Sequence, residues 1–137
     1  MKKFLSLLLA VMFVFAATSA LAADIKVIVN DEEVEFDRQP VLDGETVLIP
    51  YRFVVEKLGA KVNWHEETQT VFSDYEGAIT TIQIGNNLMF VNGDSFEIAN
   101  APVILADRTL VPKEVIENGI GATVTWDAES STVTIVK

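Results

Sequence analysis

The stretch LIPYRFVVEKLGAKVNW, from Leu48 to Trp64, returns sixty-two residues later as LVPKEVIENGIGATVTW, from Leu110 to Trp126. Carried outward at the same offset, the match sets Val27–Phe72 against Met89–Thr134, with fourteen identities in forty-six positions and no gap. The pairs include Asn30/Asn92, Pro40/Pro102, Pro50/Pro112, Gly59/Gly121, Trp64/Trp126 and Val71/Val133. Proline fixes its own φ and glycine frees it, so an ordered recurrence of both fixes where a chain turns. The pattern predicts a structural unit built twice, at about 25–73 and 87–137, joined by a strand at 78–84.

Each unit reads in the same way. Ile25–Val29 alternates as a strand, Asn30-Asp31 is a turn pair, and Val34–Phe36 returns; Leu88–Val91, Asn92-Gly93 and Phe96–Ile98 repeat the hairpin with a stronger turn signal. Asp37–Glu45 and Ala99–Asp107 read as connections, and Val47–Ile49 as a short strand. Pro50 and Pro112 then open helices, where a missing N–H costs nothing. Phe53, Val54 and Leu58 fall on one helical face, with Val115, Ile116 and Ile120 as counterparts. Two turns are too few to persist alone, so these helices must lie on a sheet. Gly59 and Gly121 suit left-handed caps, and all seven glycines read as turns or caps. Ala60, Val62 and Trp64 alternate towards a core and lead through a turn to Thr70–Phe72; the second unit repeats this to Val133 and Ile135. The predicted fold class is α+β: predominantly antiparallel sheet with two short helices, in internally duplicated β-β-β-α-β-β units forming one compact body.

The chain begins MKKFLSLLLAVMFVFAATSALAAD. Two lysines, an apolar run too short to span a bilayer, and Ala20-Leu21-Ala22 make a secretory signal at 1–22, with the mature protein at 23–137. Removing Lys2 and Lys3 leaves eight basic residues against twenty acids, a formal charge of −12. Such a balance excludes nucleic acid and anionic membrane surfaces as partners, since both require basic residues. With no cysteine there is neither a lipid attachment point nor a disulfide, so the exported fold rests on its core. No sorting signal follows Lys137, and retention at a cell surface is expected to be non-covalent.

The ordered combination in both stretches, with TV after the first and DAESSTVTI after the second, resembles the copper amine oxidase N-terminal-like domain, also called the stalk domain. That family repeats a pattern of the form (R)TLVPLR…EALGA.V.WD….TV.I, commonly beside a VNG hairpin like Phe90–Gly93, and the likeness covers nearly all of 25–137. There are departures. The arginine before the strand is present as Arg108 but is Thr46 in the first unit; the one after the proline is Arg52 but Glu114 in the second. Lys57 faces Gly119, and Trp64 is followed by His65 where the pattern has aspartate. The resemblance implies an accessory domain of exported and cell-surface proteins of Gram-positive-type bacteria. It does not imply copper chemistry, because in the oxidases copper and the quinone cofactor belong to a separate catalytic domain.

The residues themselves supply no reaction centre. A catalytic copper or zinc site needs about three nitrogen or sulfur ligands, and the chain offers His65 alone. No nucleophile motif or phosphate-cradling glycine loop is visible. The acids Asp31, Glu32, Glu33, Glu35 and Asp37 lack calcium-loop spacing and read as the outer face of a hairpin. Trp64 and Trp126, ending alternating faces in both units, read as core residues. Tyr51 and Tyr75 have no aromatic counterparts at Lys113 and Lys137, and with Arg52 and Arg108 they make the candidate partner-binding surface. No cofactor, metal or catalytic residue is predicted. The expectation is a secreted, non-enzymatic accessory or binding module at the cell envelope, its partner a cell-wall polymer or an extracellular protein. Rival readings are a homodimeric stalk paired through hairpin edges, an inhibitor or regulator of an extracellular hydrolase or protease, and a small hydrolase using pairs of the plentiful acids.

Overall fold

A computed structural model describes residues 25–137; the predicted signal at 1–22 lies outside the described residues. The thirteen strands are mostly antiparallel and two short helices pack on them, an α+β architecture. The first half runs β1 (Lys26–Val29), β2 (Glu32–Val34), β3 (Val41–Asp43), β4 (Thr46–Pro50), α1 (Tyr51–Lys57), β5 (Lys61–His65) and β6 (Thr70–Tyr75). After β7 (Ala78–Gln83) come β8 (Leu88–Val91), β9 (Asp94–Glu97), β10 (Val103–Leu105), β11 (Arg108–Val111), α2 (Lys113–Ile120), β12 (Thr123–Asp127) and β13 (Thr132–Val136).

Each half thus has one strand more than expected, because the two supposed connections contain β3 and β10. Both are three-residue strands that follow a proline and carry no alternation to betray them. They are closed onto β4 and β11 by two-residue turns, Gly44-Glu45 and Ala106-Asp107. Ala106 and Asp107 both take positive φ (50° and 63°), the backbone that matches the right-handed twist of the flanking strands.

The halves are interlocked rather than stacked. β1 and β2 join the hairpin β12–β13 in a four-stranded sheet, order β12-β13-β1-β2, where β1 runs parallel to β13. β8 and β9 join β5, β6 and β7 in a five-stranded antiparallel sheet, order β5-β6-β7-β8-β9. The third sheet is β10-β11-β4-β3, whose middle strands meet at Leu110↔Pro50 and Val111↔Ile49. A single hydrophobic cluster draws on all three sheets and both helices, with Val27, Ile49, Val54, Ile82, Met89, Val111, Ile116 and Ile135 among its most buried members.

Pro50 and Pro112 sit one position earlier than expected, as the residues preceding the first helical turn, and no side chain caps either helix. The helices turn different faces inward. In α2, Val115, Ile116, Gly119 and Ile120 are buried, as predicted for three of them. In α1 the buried residues are Tyr51, Val54 and Val55, while Phe53 lies on the exposed side. There its ring meets Phe36 edge-on at 5.8 Å and carries the Arg108 guanidinium at 5.4 Å. Trp64 corrects the core assignment as well. It faces inward opposite Val71, but on an edge strand, so it stays 38% exposed and donates its indole N–H to Glu66 at 3.2 Å. Trp126 packs against the core as expected.

Gly119 is the one glycine that is neither turn nor cap. A Cβ there would lie 2.6 Å from Oγ1 of Thr80, a buried β7 side chain. This contact explains why the position matched by Lys57 in α1 has no side chain in α2. Gly119→Ala is expected to destabilise the protein by about 1–3 kcal/mol by overpacking, against the modest gain alanine gives an exposed helix site. Combined with Thr80→Ala the cost should be markedly smaller than the sum of the single costs, measured as a double-mutant cycle by chemical denaturation.

Candidate functional site

The four residues singled out from the sequence fall in three environments. Tyr51 is not a surface residue: it is 1% exposed, and its hydroxyl shares a 2.6 Å hydrogen bond with the Ser73 hydroxyl of β6. Ser73 and Thr80 are buried polar groups of adjacent strands, paired at Ser73↔Thr80, so the phenol caps a small internal hydroxyl cluster beneath α2. Burial pushes the Tyr51 phenol up to about 12, opposed by hydrogen bonds from Ser73 and Thr80. The lack of an aromatic counterpart at Lys113 therefore reflects a core that differs between the halves.

Arg52 and Arg108 flank a small cleft of about 90 Å³ over Tyr51, with Asp107 and Thr109 completing its rim. Neither arginine is free. Arg52 is paired with Glu56 one helical turn on, at 2.9 Å. Arg108 forks onto the Asp37 carboxylate from both Nε (3.1 Å) and Nη2, which holds the Asp37 carboxyl below its ordinary range and raises the guanidinium. With its stacking on Phe53, this makes Arg108 a clamp between β11, α1 and the segment after β2. Tyr75 lies elsewhere, under the Lys137 ammonium at 5.7 Å from its ring centre; partial desolvation and the neighbouring Glu76 raise its phenol.

The remaining chemistry is structural. His65 ends β5 and its Nδ1 meets the Thr68 hydroxyl at 3.0 Å in the following turn. Glu32 pairs with Lys57 at 2.8 Å, and among the described residues no three His, Cys, Asp or Glu side chains converge to hold a metal. The residues present do not fit a copper site. A groove of about 600 Å³ runs along β2 and the turn before β13 and is walled by Lys26, Glu33, Glu35, Phe36 and Glu129.

A surface the candidate set omitted is more distinctive. The face of the five-stranded sheet turned away from the helices exposes Phe72 (39%), Ile79 (41%), Leu88 (36%) and Phe90 (38%). A groove of about 320 Å³ crosses it, bordered by Thr70, Phe72, Thr81, Gln83, Leu88 and Phe90. Its polar border is held in place: Gln83 donates to the Thr68 carbonyl at 3.0 Å, and Asn86 accepts from the Leu88 N–H at 2.9 Å. A usable signal was present in the sequence. At the sixty-two-residue offset Phe72 faces Thr134 and Phe90 faces Ile28, so both are aromatics without an aromatic counterpart. Continuous apolar runs such as Leu88–Val91 conceal which side chain points outward.

The fold joins three sheets and two helices around one core and leaves several apolar side chains exposed on the outer face of the five-stranded sheet. The family model of the copper amine oxidase N-terminal domain matches residues 28–135, and the chain belongs to that family. The matched unit is the non-catalytic N-terminal domain of those enzymes. No curated protein matches the chain.

Two titrations check this description. In Arg108→Met the Asp37 carboxyl is expected to return to its ordinary range, followed by NMR of its side chain. For Tyr51 the folded phenol lies above the unfolded one, so the unfolded chain loses its proton first and stability falls as pH rises from about 10 to about 12, by about 1.4 kcal/mol per unit. Tyr51→Phe should remove most of that slope in denaturation measured across the alkaline range.

Proposed function

We propose that this protein is an exported, non-enzymatic binding module of the cell envelope, engaging a wall polymer or an extracellular protein through the outer face of its five-stranded sheet. The observation that carries the reading is the exposure of Phe72, Ile79, Leu88 and Phe90 on the same face of the sheet. Apolar side chains left exposed on one sheet face, interleaved with polar ones, mark an interaction site. Its position on β6, β7 and β8 gives it a rigid base, since hydrogen-bonded strands flank all three. Membership of a non-catalytic accessory-domain family supports the same reading. So does the N-terminal sequence, with its positive start, apolar run and small-residue cleavage pattern.

The strong acidity of the chain serves solubility in this reading, and contact is made by apolar and uncharged groups. Two consequences follow for a wall-retention assay. The purified protein should sediment with isolated cell wall, and raising salt from low to molar concentration should leave retention largely unchanged, because screening weakens charge contacts and not apolar ones. Protein that stays in the supernatant at every salt concentration would overturn the reading. Elution by moderate salt would move the contact from the sheet face to the acidic surface. Turnover of wall fragments that disappears on changing single acids would make the protein an enzyme instead.

A further inference from the structure

The strand register places five residues in one straight row across the five-stranded sheet. Asn63 pairs with Phe72, Phe72 with Thr81, Thr81 with Phe90, and Phe90 with Ser95. All five point away from the core, since the flanking Val71, Ser73, Ile82 and Met89 are buried. The row carries no charge. It reads amide, ring, hydroxyl, ring, hydroxyl. Phe72 and Phe90 are separated by β7, which places their backbones two strand spacings apart, about 9.6 Å.

The same row on the other outer sheet provides an internal comparison. There Thr125 pairs with Thr134, Thr134 with Ile28, and Ile28 with Glu33. That row has no ring, and with no strand between β13 and β1 its middle residues are direct neighbours. The other sheet is thus built with Thr134 and Ile28 at the matched positions and without either ring.

We infer that this row binds an extended, uncharged β-1,4-linked glycan strand lying across the β-strands, with Phe72 and Phe90 stacking on sugar rings one disaccharide repeat apart. The inference deepens the binding-module reading above and rests on it. Three features select this occupant. In a β-1,4-linked chain every second ring presents the same face, and that repeat is close to the two-strand spacing of the phenyl groups. The axial C–H groups of a pyranose meet the electron-rich face of an aromatic ring, while its equatorial hydroxyls reach Asn63, Thr81 and Ser95 between and beside the rings. Charge argues against one rival. The mature chain, with a formal charge of −12, repels an anionic polymer, and the row itself offers only uncharged groups.

Calorimetric titration of the purified protein with chito- and cello-oligosaccharides of two to six sugars tests this. Hexasaccharides should bind and disaccharides should not, with the threshold at three sugars, the shortest chain that touches both rings; α-linked maltohexaose should not bind. Phe72→Thr and Phe90→Ile, each installing the residue of the matched row, should weaken binding about fivefold or more with an unchanged melting temperature. Thr134→Ala on the other sheet should leave it unchanged. Absence of binding by every β-linked hexasaccharide, or affinity independent of length or of both phenylalanines, would overturn the inference. So would a concentration-dependent dimer, seen by light scattering, that Phe72→Thr dissolves. If both substitutions abolish wall retention while no β-linked hexasaccharide binds, the glycan platform fails and the binding-module reading stands. If hexasaccharides bind as described while wall retention is absent, the envelope reading fails and the platform stands.

Discussion

Neither half of this protein can bury its own apolar surface, and the exchange of hairpins between them is the constraint on which the rest depends. β1 and β2 complete the sheet begun by β12 and β13, and β8 and β9 complete the sheet begun by β5, β6 and β7. Short strands of three to six residues and helices of two turns contribute little alone. Interlocked, they close around one cluster in which Val27 and Val29 from the beginning meet Val133 and Ile135 from the end. A chain without disulfides gains here a core that no local segment could supply.

Matched as they are along the sequence, the halves are not interchangeable in three dimensions. β7 has no counterpart, and it brings Thr80 against the helix that must then lack a side chain at Gly119. The same strand meets Ser73 of β6, beneath the Tyr51 hydroxyl. The other half places a lysine at the position of Tyr51 and a glutamate at that of Val55, and its helix buries a different set of positions, Val115, Ile116, Gly119 and Ile120. The one extra strand thus accounts for several departures between the matched stretches that look arbitrary when aligned as text.

What could be read in advance follows from how local the determining physics is. The Asn92-Gly93 hairpin, the positive φ at Gly59 and Gly121, and the buried stripe Val115-Ile116-Ile120 are set within a few residues, and each appears where the pattern places it. β3 and β10 are silent in the sequence because three residues after a proline carry no period. For Trp64, alternation gives the facing of the side chain but not whether its strand is central or at an edge. For Tyr51, a two-turn helix offers too few positions to fix its rotation, and its hydroxyl partners lie on strands distant in sequence. The exposed pair Phe72 and Phe90 depends on register across three strands, which no single window contains. Export was inferred from residues 1–22, and they lie outside the described structure.

The parallel contact between β1 and β13 has a mechanical corollary. Lys26 to Val29 lie alongside Thr132 to Ile135, and Asn30 closes the pair by bonding Ile135 and Lys137. Tension that draws the start of β1 and the finish of β13 in opposite directions acts along these strands. All the cross-strand bonds then share the load in shear, whereas a hairpin pulled at its open end unzips one bond at a time. A body tethered at one terminus and tugged through the other is thereby fastened along its most resistant seam.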